Sequence, residues 1–192
     1  MVSSGNIKTI AIGASTGGVD ALATILKQLP PETPPILLTI HMQPGMTRLY
    51  ADQLDNQLVL SVKEAETGDA LLTGSVLVAP TGKHMKVVNR CGNLSVNCQP
   101  GEKVQHALPS VDVLFESVAE EIRGNAIGVI LTGIGADGAR GLLKMRNSGA
   151  STIGQDEDTC VVYGMPKVAN EMGAVMYELP LNQIADKILS LI

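Results

Sequence analysis

The stretch Lys8-Thr9-Ile10-Ala11-Ile12-Gly13-Ala14-Ser15-Thr16-Gly17-Gly18-Val19 decides the fold. Residues 8–14 are a β-branched run that stops at Ser-Thr-Gly-Gly, the pattern of a buried strand entering a turn. Residues 19–29 then carry apolar side chains at helical spacing and close on Pro30-Pro31. A second apolar run, 36–40, ends at His41 and is followed by the turn Gln43-Pro44-Gly45. Thr47 reads as the N-cap of a second helix, with Tyr50, Ala51 and Leu54 on one face. Strand, helix, strand, helix is the rhythm of a parallel sheet covered by helices.

The middle of the chain reads differently. Residues 59–62, 75–79, 85–89 and 94–97 are short strand patterns, and Arg90-Cys91-Gly92-Asn93 is a hairpin turn. This part is expected to be an antiparallel insertion or sheet extension, not a separate domain. Alternation then returns. Residues 111–122 form an amphipathic helix pattern and 126–131 a buried strand. A helix opens at Asp137 and runs to 145, 152–154 is a strand, and 165–171 begins another helix. The chain closes on 182–191, with Ile184, Ile188 and Leu191 spaced for packing. The expected fold is α/β: a single domain over 1–192 with a doubly wound, mostly parallel sheet, flanking helices and an antiparallel hairpin extension. In such sheets working residues lie beyond the carboxyl ends of the strands. Ser15-Thr16, His41 and Asp137 all occupy such ends.

Composition narrows the function. The 192 residues include three Tyr, one Phe and no Trp, so the aromatic platforms that stack unpaired bases are missing. Fourteen basic against nineteen acidic residues give a net charge of −5 without a basic run, against nucleic-acid binding. Cys91, Cys98 and Cys160 are an odd, widely spaced set with no CxxC pair. Reduced thiols are expected, with a Cys91–Cys98 bridge across the hairpin as the alternative. The opening Met-Val-Ser-Ser-Gly-Asn is polar, neither a signal peptide nor a membrane anchor. A soluble cytoplasmic protein is expected.

Gly13-Ala14-Ser15-Thr16-Gly17 matches G-x-S-x-G between a strand and a helix. That context projects a serine hydroxyl outward, and the following helix start offers unpaired N–H groups to developing negative charge. A glycine-rich turn with Ser15 as a plain N-cap fits the same letters. A serine nucleophile needs a base, and of His41, His84 and His106 only His41 lies at a strand end. The imidazole needs an acid to orient it. Asp137 stands just beyond the strand at 126–131, where a helix N-cap is its structural alternative. Three such residues at three separate strand ends favour a hydrolytic triad. The order Ser15, His41, Asp137 differs from the serine–acid–histidine order of α/β-hydrolases. Gly133, Gly135 and Gly138 also spell G-x-G-x-x-G, with Asp156 and Asp158 about 20 residues on, as a dinucleotide site would want. Asp137 would oppose pyrophosphate there, and the loop comes late in the chain. No metal-ligand cluster and no cofactor is read.

The segments Ala11-Ile12-Gly13-Ala14-Ser15-Thr16-Gly17-Gly18, His41-Met42-Gln43-Pro44-Gly45 and Leu131-Thr132-Gly133-Ile134-Gly135-Ala136-Asp137-Gly138-Ala139 resemble the bacterial chemotaxis protein-glutamate methylesterase (CheB) family. Lys83-His84-Met85, Pro109-Ser110-Val111-Asp112-Val113-Leu114-Phe115, Gln155-Asp156-Glu157 and Cys160-Val161-Val162-Tyr163-Gly164-Met165-Pro166 extend the resemblance over nearly the whole chain. It implies a doubly wound α/β catalytic domain that hydrolyses glutamate γ-methyl esters on the cytoplasmic helices of chemoreceptors. Deamidation of receptor glutamines is a further family activity. By resemblance Ser15 is the nucleophile, His41 the general base and Asp137 the orienting acid. The backbone N–H groups of Thr16 and Ile134 match the oxyanion donors. The implied partners are methylated receptor helices, with no nucleic acid and no membrane insertion. Three departures stand out. Ile134 replaces a usual methionine. His106-Ala107-Leu108 precedes Pro109 where the family has His-Arg. The family's usual receiver domain is absent from these residues, so the chain reads as the catalytic domain alone, excised or free-standing, without phosphorylation control of its own. The rivals are a serine hydrolase for another ester and a catalytically idle binding domain; the intact trio disfavours the idle form.

Overall fold

Strand β1 (Thr9–Ala14) is buried along its whole length, and that places it at the centre of the sheet. The computed structural model describes residues 7–192; the polar opening segment lies outside the described residues. Strands β1, β2 (Ile36–Ile40), β3 (Ser61–Glu64), β4 (Ser75–Val78), β7 (Ala126–Ile130), β8 (Ser151–Gln155) and β9 (Tyr177–Leu179) form one seven-stranded sheet in the order β3-β4-β2-β1-β7-β8-β9. Every pairing in it is parallel. Strands β5 (His84–Arg90) and β6 (Asn93–Gln99) pair antiparallel as a separate two-stranded sheet.

The helices are α1 (Gly18–Leu26), α2 (Met46–Asp55), α3 (Val111–Glu121), α4 (Ala139–Asn147), α5 (Met165–Glu171) and α6 (Leu181–Leu191). Side chains along a strand alternate between faces. Ile10, Ile12 and Ala14 therefore enter one core with residues of α1, α2 and α6. Ala11 enters the other, with Phe115, Leu142, Met165 and the hairpin residues Met85 and Val96. Beside β1 the chain turns to β2 on one side and reaches β7 on the other. The strand order reverses at β1/β7, where open α/β sheets place their sites.

Several expectations are corrected. The two patterns at 59–62 and 75–79 are not antiparallel; β3 and β4 extend the parallel sheet, and only β5–β6 is the hairpin. Thr47 is not an N-cap. Gly45, in the left-handed region, caps α2, and the buried Thr47 hydroxyl donates to Glu64 and accepts from the Thr81 N–H. Helix α4 starts at Ala139 after Gly138, two residues later than the pattern suggests. Strand β9 leaves no pattern in the sequence, because its three residues are too few to show alternation. All three cysteines are free, Cys98 buried and Cys91 exposed.

Candidate active site

The register of β1 on β2 pairs Ala14 with Ile40, so the next residues, Ser15 and His41, leave the sheet side by side. The His41 N–H donates to the Ala14 carbonyl at 3.1 Å and fixes that relation. On the other flank the Ser15 N–H donates to the Thr132 carbonyl at 3.0 Å, just past β7. Ser15 is not the N-cap of α1. That position belongs to Gly17 at φ 81°, a left-handed conformation that lets the chain turn sharply into the helix. Gly133 makes room for the turn: a Cβ on it would lie 2.6 Å from the Ser15 Cβ.

Asp137 is buried and every acceptor position of its carboxylate is used. Its Oδ2 accepts from His41 Nε2 at 2.8 Å and from the Val111 N–H at 2.7 Å. Its Oδ1 accepts from the Ser110 hydroxyl at 2.6 Å and from the Asp112 N–H at 3.0 Å. Val111 and Asp112 open α3, and their N–H groups are donors that no helical carbonyl reaches. Asp137 is thus a helix cap after all, but of α3, a helix 26 residues earlier in the chain, and its charge faces the positive end of that helix. Burial pushes its pKa up, but the bonds from His41, Ser110 and the Asp112 and Val111 amides outweigh burial and hold it below the ordinary carboxylate value. The carboxylate is ionised at neutral pH and held by four donors. Because His41 gives Nε2–H to Asp137, Nδ1 is the ring nitrogen left to accept a proton.

Asp112, one residue into α3 from Val111, is also buried. Its Oδ1 accepts from the Gly141 N–H at 2.8 Å and its Oδ2 from Arg140 Nε at 3.2 Å, tying α3 to α4. Burial pushes its pKa up, and the Asp137 charge adds to that push against the Gly141 and Arg140 bonds.

The turn after β1 and the loop after β7 are joined by Thr132. Its hydroxyl donates to the Thr16 carbonyl at 2.9 Å and accepts from the Val162 N–H at 3.0 Å. Its own N–H donates to the buried Gln155 Oε1 at 2.9 Å. Among the described residues nothing accepts from the amides of Thr16 or Ile134. The Ile134 side chain is exposed. Beside His41 opens a cleft of about 590 Å³ walled by Lys103 and residues 105–109 and 134–137. None of the four aromatic residues lines it. Among the described residues no group of three or more His, Cys, Asp or Glu side chains could hold a metal ion.

The structure therefore bonds His41 to Asp137 and sets Ser15 beside His41 at the ends of β1 and β2. His84 and His106 lie elsewhere in the neighbourhood, one under the cleft wall and one in it. Sequence reading missed the roles of Ser110, Asp112, Thr132 and Gln155. Ser110 followed by Asp112 is a helix-start signature that could have flagged the first two. Thr132 and Gln155 leave no local signal for this role, because the bonds that join them to each other and to Thr16 span 23 and 116 residues.

The family model described as CheB methylesterase matches residues 10–188. The chain belongs to the CheB methylesterase family. The crystal structure of the Thermotoga maritima CheB methylesterase catalytic domain superposes with a TM-score of 0.94 at 38% identity, covering 96% of this chain and 98% of that one. A Syntrophomonas wolfei protein-glutamate methylesterase/protein-glutamine glutaminase is 52% identical over 183 residues, 95% of this chain and 54% of that protein. A Yersinia pestis relative of the same description is 48% identical over 183 residues, 95% of this chain and 52% of its own length. The chain spans about half the length of these curated relatives. The doubly wound fold expected from the sequence is the fold of the CheB catalytic domain. No described helix is long and apolar enough to cross a membrane.

Proposed function

We propose that this chain is a serine esterase that hydrolyses glutamate γ-methyl esters on the cytoplasmic helices of chemoreceptors, with Ser15, His41 and Asp137 as its triad. The observation that carries the reading is the His41–Asp137 bond at 2.8 Å beside the strand end that delivers Ser15. His41 Nδ1 takes the Ser15 proton as Oγ attacks the ester carbonyl. The N–H groups of Thr16 and Ile134, without acceptors of their own, hold the oxyanion. The imidazolium, stabilised by Asp137, gives its proton to the leaving methoxide, and methanol departs. Water then attacks the acyl-enzyme, giving its proton to His41. Oγ recovers that proton as the glutamate carboxylate leaves.

The same cycle on a receptor glutamine releases ammonia, matching the double description of the relatives. The 192 residues act as one catalytic domain in the cytoplasm, where the substrate helices lie. The absence of an arginine before Pro109 is carried by the cleft wall, so it bears on substrate preference and not on the triad. Release of labelled methanol from methylated receptor membranes tests the reading, with a small methyl ester as second substrate. Release by the wild type and not by Ser15→Ala is expected, with the receptor preferred. Equal release by both proteins would remove the triad. Preference for the small ester would replace the substrate class.

A further inference from the structure

Outside the triad, one buried histidine has both ring nitrogens committed. His84, the first residue of β5, accepts at Nδ1 from the Ser110 N–H at 3.2 Å and donates from Nε2 to the Glu102 carbonyl at 2.8 Å. Those two bonds specify one tautomer, with the proton on Nε2 and none on Nδ1. The ring is held closely: a Cβ on Gly101 would come within 3.0 Å of the His84 Cδ2.

The two partners lead to different parts of the site. Ser110 caps α3 and gives its hydroxyl to Asp137 Oδ1 at 2.6 Å. Glu102 stands at the foot of the cleft wall. Beyond it Val104 and Ala107 exchange two backbone hydrogen bonds around Gln105 and His106, both at positive φ. A two-residue turn of that kind is rigid but not self-supporting, since neither residue is glycine. His84 is also paired in the hairpin, opposite Gln99.

Resting on the triad reading, the structure assigns His84 as a positioning residue for the reaction. Its Nδ1 side sets Ser110, and through Ser110 the catalytic acid. Its Nε2 side sets the cleft wall that meets the substrate. The chain of bonds His84–Ser110–Asp137–His41 joins the hairpin to the base. His84 never exchanges a proton with substrate.

Each half of the role can be removed separately. In His84→Gln the side-chain amide reaches the Nε2 position and keeps the Glu102 bond, but the acceptor for Ser110 is lost. In His84→Asn the side-chain oxygen sits near the Nδ1 position and keeps the Ser110 bond, but the Glu102 bond is lost. Methanol release from methylated receptor membranes should show kcat about tenfold lower for His84→Gln with KM little changed. For His84→Asn it should show KM about fivefold higher with kcat little changed. Wild-type kinetic constants in both variants, or the same pattern in both, would overturn the assignment. Ser15→Ala in the same assay separates the two claims, because Ser15-independent release removes the triad whatever His84 does. A third readout needs no variant. Long-range ¹H–¹⁵N spectra of the wild-type chain should show His84 as the Nε2–H tautomer; an Nδ1–H tautomer would contradict the assignment even if neither variant folds.

Discussion

The two flanks of the site are built on opposite rules. On the acid side Asp137 is buried, and four donors from His41, Ser110, Val111 and Asp112 fill its carboxylate. On the nucleophile side Ser15 is half-buried, and the Thr16 and Ile134 amides have no acceptor among the described residues. A saturated group cannot move or change partners cheaply, which suits a residue that orients a base. Donors without acceptors are stabilised only when negative charge arrives, which suits transition-state binding. On the proposed triad, this asymmetry predicts that stability depends more on Asp137 and the reaction more on Ser15.

Substitutions on the two sides should therefore separate activity from stability. The largest effect on activity is expected for Ser15→Ala, a loss on the order of 10⁴–10⁶ in kcat. Its unfolding free energy should stay within about 0.5 kcal/mol of wild type in a denaturant titration. Asp137→Ala should lose roughly 10⁴ in kcat and, unlike Ser15→Ala, at least about 2 kcal/mol of stability, because α3 is left with buried, unpaired N–H groups. Equal stabilities for the two variants would erase the contrast. Ser110→Ala removes a helix cap and one bond to the acid, and should cost about 1 kcal/mol.

The pH dependence of stability sharpens the same contrast within the acid side. Asp137 has its folded pKa lowered, so its contribution is complete above the unfolded value of about 3.9 and is lost as pH falls through the folded pKa. Asp112 has its folded pKa raised, so its ionised form costs stability at neutral pH, and the cost is relieved as pH falls through that raised pKa. Acid titration of unfolding should show the advantage of wild type over Asp137→Asn shrinking towards low pH. Against Asp112→Asn the wild type should gain over its own acid range. The smallest effect is expected for Ile134→Met, a change within about twofold in kcat, because the proposed donor is the backbone N–H and the side chain is exposed. Recovery of a poor enzyme by that substitution would shift the role to the side chain.

The contrast also explains what could be read in advance. Ser15 and His41 were legible because each ends a strand with a clear apolar pattern, and neighbouring parallel strands place their ends together. Asp137 was legible as a residue in the loop after a third strand, but its partner helix was not. The capping that its sequence position suggested for α4 is carried out on α3, through bonds spanning 25 to 27 residues. The parallel placement of β3 and β4 was likewise hidden. Short strands with polar flanks look alike in either direction, and the direction is decided by helix α2 and the hairpin packing on opposite faces. Gln155, at the end of β8, and Thr132, just past β7, fix the turn at Ser15 from other parts of the chain, and no local pattern carries such information.

The central claim is that Ser15 and His41 act as one unit oriented by Asp137. Kinetics of Ser15→Ala, His41→Ala and the double variant, measured as methanol release from methylated receptor membranes, test it most directly. Members of one catalytic unit are non-additive. The double variant should retain the same residual rate as Ser15→Ala alone. Losses that multiply in the double variant would show two independent groups and contradict the triad.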